Sequence, residues 1–253
     1  FSFPNSSMIG MEFNAEYFSQ VPTRAYDVRL LKVKVPVGYD PILKTYPETW
    51  NGKFQGEEAN TEKKWTDNPA WIFYDLLHNN RYGLGKYVDQ ISIDKWTLYE
   101  IAKYCDELVG DGEGGVEPRF TCNVYINTRE QAEKVLKDFA SIFRGMIYFG
   151  LGNVHAIQDS PRETISQFTN SNVVEGNFTY ASSSRKARAT VVIIRYNDKL
   201  NFYKPSVEYI EDIVGIKKFG IVEKEVAAFG CTSKSQAIRL ARWILYTEAY
   251  ETE

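Results

Sequence analysis

Three helix starts in the middle of the chain constrain its fold more than any other feature. Asn68 offers a capping side chain and Pro69 suits the first helical position, where a missing N–H costs nothing. Trp71, Ile72 and Leu76 then face inward, and His78-Asn79-Asn80 closes the helix before a turn at Tyr82-Gly83-Leu84-Gly85. Asp94 caps a second helix, in which Leu98, Ile101, Ala102, Cys105, Leu108 and Val109 recur at helical spacing and share one face. Thr128, with Gln131 behind it, reads as a capping box for a third. Its stripe is Ala132, Val135, Leu136, Phe139, Ala140 and Phe143. Between the second and third helices, after the loop 110–115, Phe120, Cys122, Val124 and Ile126 alternate as a half-buried strand. Met146–Phe149 and Asn153–Ile157 flank Gly150-Leu151-Gly152 as a hairpin. Residues 85–159 are thus expected to form a helix–strand–helix–hairpin unit that buries its helices on a small sheet.

The flanks have a different texture. Residues 8–13 and 26–35 alternate or are rich in β-branched and aromatic side chains, and both predict strands. Residues 37–66 collect glycines and prolines and the charged run Glu57–Lys64 without any periodicity, which predicts an excursion with a short hairpin at Thr45–Phe54. Tyr46, Trp50, Phe54 and Trp65 argue that this excursion is packed. After Asp159, Val174–Tyr180, Ala187–Tyr196, Val207–Ile210 and Val222–Phe229 read as strands, and Ser233 opens a last helix with Ala237, Leu240, Ala241, Ile244 and Leu245 inside. The early strands have no local partner except this late set. The expectation is an α+β fold: a discontinuous β-rich domain, residues 1–45 plus 160–253, an excursion and connecting helix over 46–84, and the α/β unit 85–159 inserted between.

Chemistry is sparse. Cys105, Cys122 and Cys231 lie far apart with no CxxC pair, and read as small buried hydrophobes. His78 and His155 are the only histidines; one closes a helix, where a cationic imidazole suits the dipole, and the other sits on a hairpin strand. Neither has a nucleophile or metal-ligand spacing beside it. The strand–loop–helix segment Phe229–Ser235 lacks the glycines of a phosphate-cradling loop, since Ala228 and Ser233 stand in their places. Gly83/Gly85 and Gly150/Gly152 carry no third glycine into a helix. Asp106, Glu107, Asp111 and Glu113 gather near a glycine loop without calcium-loop spacing, and read as a solvated helix end. Ser184-Arg185-Lys186-Ala187-Arg188 is a small basic turn. No catalytic, cofactor or metal residues are therefore assigned. The formal charge of −3 argues against binding nucleic acid or an anionic membrane by net charge, and the longest mostly apolar run, Ala189–Ile194, is far short of a membrane span. Phe1 in place of an initiator Met and a final helix without a closing Gly or Pro read as cut ends of a longer chain. Aromatic content is high, with 15 Phe, 17 Tyr and 5 Trp. Tyr and Trp suit protein–protein surfaces as well as a core, so the composition points to a part of an assembly.

Particular stretches carry a resemblance. Tyr26–Arg29, Leu31–Pro36, Asp67–Leu77, Asn80–Gly85, Tyr104–Val109, Glu117–Asn123 and Phe229–Ser233 resemble the tip attachment (host specificity) protein J family of lambda-like tailed phages, from about Phe13 to Tyr246. That resemblance implies a place in the virion, at the tail tip, after assembly in the host cytoplasm. It implies a central hub, a homotrimer around a channel, that joins the tail tube to the tip fibre and borders the path of ejected DNA. Other tail-tip and tail-tube proteins are the implied partners. Hub domains of the family are similar to contractile-tail baseplate hubs, so the β-rich domain is expected to be barrel-like. No receptor-binding residue is carried over. The alternative is a tail-associated cell-wall hydrolase using Asp111 and Glu113, and a further reading is DNA contact through Arg185, Lys186 and Arg188.

Overall fold

A computed structural model of the chain describes residues 8–24, 26–57, 61–87, 93–127, 130–150, 153–179 and 188–250. It divides into two compact units, Phe1–Leu30 and Leu31–Glu253. In the first, Phe13 meets Phe18 edge to face at 5.9 Å, and the Arg24 guanidinium lies 5.2 Å from the Phe13 ring centre. Arg24 and Tyr26 both donate to the Met11 sulfur. The strand expected at 8–13 is absent there, as is the one at 26–30, because no neighbouring strand supplies a ladder.

In the second unit, five helices and seven short strands follow one another among the described residues. Chain 31–57 has no continuous strand. Val33 pairs with Lys64, Pro36 with Phe54 and Asp40 with Thr45 as isolated bridges. The excursion is therefore folded back onto the segment before it, and its aromatics are packed as expected: Trp50 and Phe54 are buried, Tyr46 and Trp65 half-buried. Helix α1 (Pro69–His78) starts as predicted, with the Asn68 side chain accepting from Ala70 N at 3.0 Å. Its turn needs Gly83, where a Cβ would stand 2.0 Å from the Leu76 carbonyl oxygen.

Helix α2 (Lys95–Asp106) is capped by Asp94 and buries Leu98, Ile101, Ala102 and Cys105. Leu108 and Val109 do not extend its stripe. They enter β1 (Leu108–Gly110), which pairs antiparallel with β2 (Val116–Pro118) around the glycine loop. The strand expected at 120–126 is an extended strap instead. It bonds singly to three different places, Phe120 N to Cys105 O, Cys122 N to Asp67 O and Asn123 N to Gly230 O, so no ladder forms. Helix α3 (Ala132–Ile142) begins with Gln131 as N-cap and no side-chain capping bond, and Thr128 lies outside the described residues. Strands β3 (Gly145–Gly150) and β4 (Asn153–Gln158) form the predicted hairpin, whose turn 151–152 is outside the described residues. One core joins Val33, Val35, Tyr39, Trp50 and Phe54 to helices α1–α3 and to Val154 and Ala156.

The late segment makes a second core. Strand β5 (Val191–Asp198) lies between β6 (Lys204–Glu211), antiparallel, and β7 (Glu223–Ala227), parallel, with α4 (Ile213–Phe219) in the crossover. Val192, Ile194 and Tyr196 turn one face of this sheet onto Ala237, Ala241, Ile244 and Leu245 of α5 (Lys234–Tyr250). Helix α4 carries no apolar stripe that predicts it. The strand expected at 174–180 is a single 3-10 turn at Val174–Gly176, and Tyr180 lies outside the described residues. The fold is mixed α and β with sheets of two, two and three strands, and no barrel closes among the described residues. Three strands capped on one face by a helix leave two free edges rather than a closed ring.

Candidate functional site: buried polar clusters and exposed contact surfaces

The most concentrated group of ionisable side chains lies under the excursion. Asp106, at the end of α2, accepts from Tyr39 Oη at 2.7 Å and Tyr46 Oη at 2.6 Å. Lys44 Nζ stands 3.3 Å from its other oxygen and also bonds Asp67. Asn68 Nδ2 reaches Tyr46 Oη at 3.3 Å and Ala102 O at 2.9 Å. Burial, and then the Asp106 charge, push both tyrosines far above the usual phenol value. Two phenols, an ammonium and two carboxylates meet here; the Asp106 side chain is 1% exposed, and its second oxygen has the Lys44 ion pair but no hydrogen bond among the described residues. Such a cluster pins the excursion to α2. Sequence reading singled out Asp106, and Tyr46 only as a packed aromatic, but neither Tyr39 nor Lys44; all three lie 60 to 67 residues before Asp106 in the chain.

A second cluster joins the two cores. Ser233 and Ser235 hydroxyls both donate to the Glu117 carboxylate, Arg239 Nη1 reaches it at 2.7 Å, and Arg239 Nη2 donates to Arg119 O. Gln236 closes the joint by accepting from Thr121 N and donating to Thr121 O. The loop considered above for phosphate is thus already filled: a carboxylate of the same chain sits at the start of α5, where an anion is favoured. Beside it, Arg144 has a left-handed φ of 54° and lies between the Phe120 and Trp243 rings, 5.3 and 5.2 Å from their centres. Its Nη2 donates to Arg239 O, and Trp243 Nε1 donates to Asp159 Oδ2 at 2.7 Å. These groups border a cleft of about 560 Å³ between the β3–β4 hairpin and β7–α5, lined mainly by apolar side chains such as Met146, Ile157, Leu240 and Ile244.

The other sequence candidates are scattered. Glu107 pairs with Arg119 at 2.6 Å, while Asp111 accepts from Glu113 N and Gly115 N in its own loop, which holds its carboxyl below the usual value. The acidic residues therefore do not converge. His78 is buried, stacked on Tyr74, with Nε2 3.7 Å from Glu57; His155 stacks on Tyr148. All three cysteines are buried free thiols, and burial pushes Cys105, Cys122 and Cys231 up. Among the described residues no group of His, Cys, Asp or Glu is placed to hold a metal, and no helix is long and apolar enough to cross a membrane. Residues 184–187 of the basic turn lie outside the described residues; Arg188 covers the Phe219 ring at 5.7 Å.

What the surface does offer is apolar. On the sheet face turned away from α5, Val207 and Tyr209 are 56% and 52% exposed beside Arg195 and Glu225, which pair at 3.0 Å. The β5–β6 turn exposes Leu200 and Phe202, and Ile165, Phe168 and Val174 stand out from the 160–179 segment.

The fold is a mixed α and β module with apolar side chains on its surface, and residues 131–253 match the family model described as "Putative phage tail protein". The chain is 38% identical over its full length to the tip attachment protein J of Escherichia phage SECphi27, and 34% identical over 99% of its length to that of Escherichia phage SECphi4. It belongs to the tip attachment protein J family of phage tail proteins, and spans about a fifth of the length of these curated relatives, 21% and 22%.

Proposed function

We propose that the chain is a hub portion of a phage tail tip, a rigid block of the virion that works through contacts with like chains and with neighbouring tail proteins. In this reading it joins tail tube to tip fibre, contributes to host attachment, and borders the channel through which DNA leaves. The division into a discontinuous β-rich part, 1–45 with 160–253, around the unit 85–159 belongs to the same proposal. The carrying observation is that Val207 and Tyr209, on the sheet face turned away from α5, and Leu200 and Phe202, in the β5–β6 turn, are exposed. The family membership supports the same reading.

A homotrimer is the proposed state of the longer protein. Threefold symmetry makes each contact head to tail, so two different faces of one chain must be adhesive. Light scattering of the longer protein tests this, and a mass of one protomer at all concentrations refutes it. The hydrolase alternative has little geometric support: Asp111 is engaged by its own loop and Asp106 is sealed under two tyrosines. Peptidoglycan turnover that disappears in Asp111→Ala or Glu113→Ala would reverse that ranking.

A further inference from the structure

Two of the three thiols meet at the joint between the cores. Asn123 N donates to Gly230 O at 2.8 Å and Asn123 Nδ2 to Thr232 Oγ1 at 3.2 Å, while Thr121 N donates to Gln236 Oε1 at 3.1 Å. The strap therefore runs against the direction of the loop that opens α5, and Cys122 stands opposite Cys231. Residues next to a bonded antiparallel pair face one another on the same side, with Cα atoms about 4.5–5.5 Å apart. A disulfide bridges Cα atoms about 4.4–6.8 Å apart. Gly230, at a left-handed φ of 64°, puts no side chain between the two: a Cβ there would stand 3.1 Å from the Cys122 sulfur. Both cysteines are 3% exposed, Cys122 in the first core and Cys231 in the second. Burial, and then the charges of Asp67 and Cys231, push the Cys122 thiol up, so the two sulfurs sense each other.

We propose that Cys122 and Cys231 form a latent cross-link, a dithiol that a small disulfide converts into an intramolecular disulfide, fastening the first core to the second. The strap is held by single bonds to separate places rather than by a ladder, and Cys231 borders the cleft, so a reagent reaches that sulfur first once the joint loosens. With oxidised glutathione as the oxidant, the Cys231 thiolate attacks one glutathione sulfur and releases the other as a thiolate. The Cys122 thiolate then attacks the Cys231 sulfur and releases the second glutathione. One glutathione disulfide is reduced, two cysteines are oxidised, and their two protons pass to the departing thiolates. Burial pushes Cys231 up to about 11 and raises Cys122, so closure is slow in the native fold and follows local opening of the strap. The bond closes a loop of about 110 residues, long enough to remove much entropy from the unfolded chain. This chemistry is independent of the hub reading. Only its timing rests on that reading: a virion block made in a reducing cytoplasm meets oxidising surroundings on release.

Peptide mapping tests the pairing. The chain is unfolded in urea, refolded in an equimolar mixture of oxidised and reduced glutathione, alkylated and digested, and disulfide-linked peptides are read by mass spectrometry. The expected product joins Cys122 to Cys231, at a yield at least about tenfold above any pair that contains Cys105, because only the native geometry brings those two sulfurs within bonding reach. Cys105, on the buried face of α2, is the internal control, and Cys105→Ala should leave the yield unchanged. Cys122→Ala should stop at glutathione on Cys231. The linked monomer should melt about 5–15 °C above the reduced one. Pairs with Cys105 in equal yield overturn the proposal, as does a refolded wild-type chain whose thiols all remain free or stop as mixed disulfides. A linked monomer that melts below the reduced one overturns it too, since the joint would then have to distort to close. None of these outcomes bears on the oligomeric state of the longer protein, which light scattering decides separately.

Discussion

Replacing Phe54 by alanine tests whether the irregular 37–66 excursion belongs to the core. Phe54 is 1% exposed. Its ring stacks on Tyr74 at 4.3 Å and meets Trp50 and Trp71 edge to face at 5.1 and 5.9 Å. Its neighbours are held by backbone bonds, Gln55 N to Val35 O and Val37 N to Lys53 O, so the site cannot collapse freely around a hole. Phe→Ala in such a setting costs about 3–5 kcal/mol. Lost aromatic pairs, at about 0.5–1.5 kcal/mol each, place the expectation in the upper half of that range. For a domain with about 5–15 kcal/mol in total, that is a large fraction. At about 2–4 °C per kcal/mol for this size, Tm should fall by about 8–20 °C. Urea unfolding followed by fluorescence is the assay, because Trp50 and Trp71 report the first core directly while Trp243 reports the second. Phe54→Leu, which keeps most of the volume, should lose only about 1.5 kcal/mol. A loss below about 1 kcal/mol for Phe54→Ala, with unchanged slope, would show the excursion to be a surface loop and refute the reasoning.

Alkaline behaviour follows from the buried phenols and thiols. Burial pushes Tyr196 up to about 12 and Cys231 up to about 11, and raises Tyr39, Tyr46, Tyr74 and Tyr82 further. A folded value above the unfolded one means stability is fully present below about pH 9 and is lost as pH rises through the folded values. Absorbance titration should therefore show these tyrosines silent until the chain unfolds; all tyrosines ionising near pH 10 with the fold intact would contradict this. Glu117→Gln should cost about 1–3 kcal/mol in urea unfolding, since two hydroxyls and the Arg239 guanidinium lose a charged acceptor. Arg144→Met removes two ring contacts and the bond to Arg239 O, and should lower stability by about 2–3 kcal/mol with Trp243 emission shifted to the red. No change in either quantity would mean Arg144 does not hold α5 to β3.

Local chemistry was sufficient for α1, α2, α5 and the β3–β4 hairpin, because a cap, a spaced stripe or a tight turn acts within a few residues of itself. The strand character of β5, β6 and β7 was legible too, but not their order: the early strands were expected to join this set, and β6-β5-β7 pair only with one another among the described residues. Other segments with equal alternation failed. Residues 8–13 and 120–126 have the pattern of strands, but a strand exists only when another backbone lies alongside, and the strap at Phe120–Asn123 spends its bonds on three separate partners. Asp106 was visible as an acid and invisible as the anchor of Tyr39, Tyr46 and Lys44. Likewise, nothing in Glu117 announces the serines 116 and 118 residues later that close on it. Short-range preferences are written residue by residue; pairing and burial over such separations are settled only when the whole chain chooses which surfaces to hide and which to leave for a neighbour.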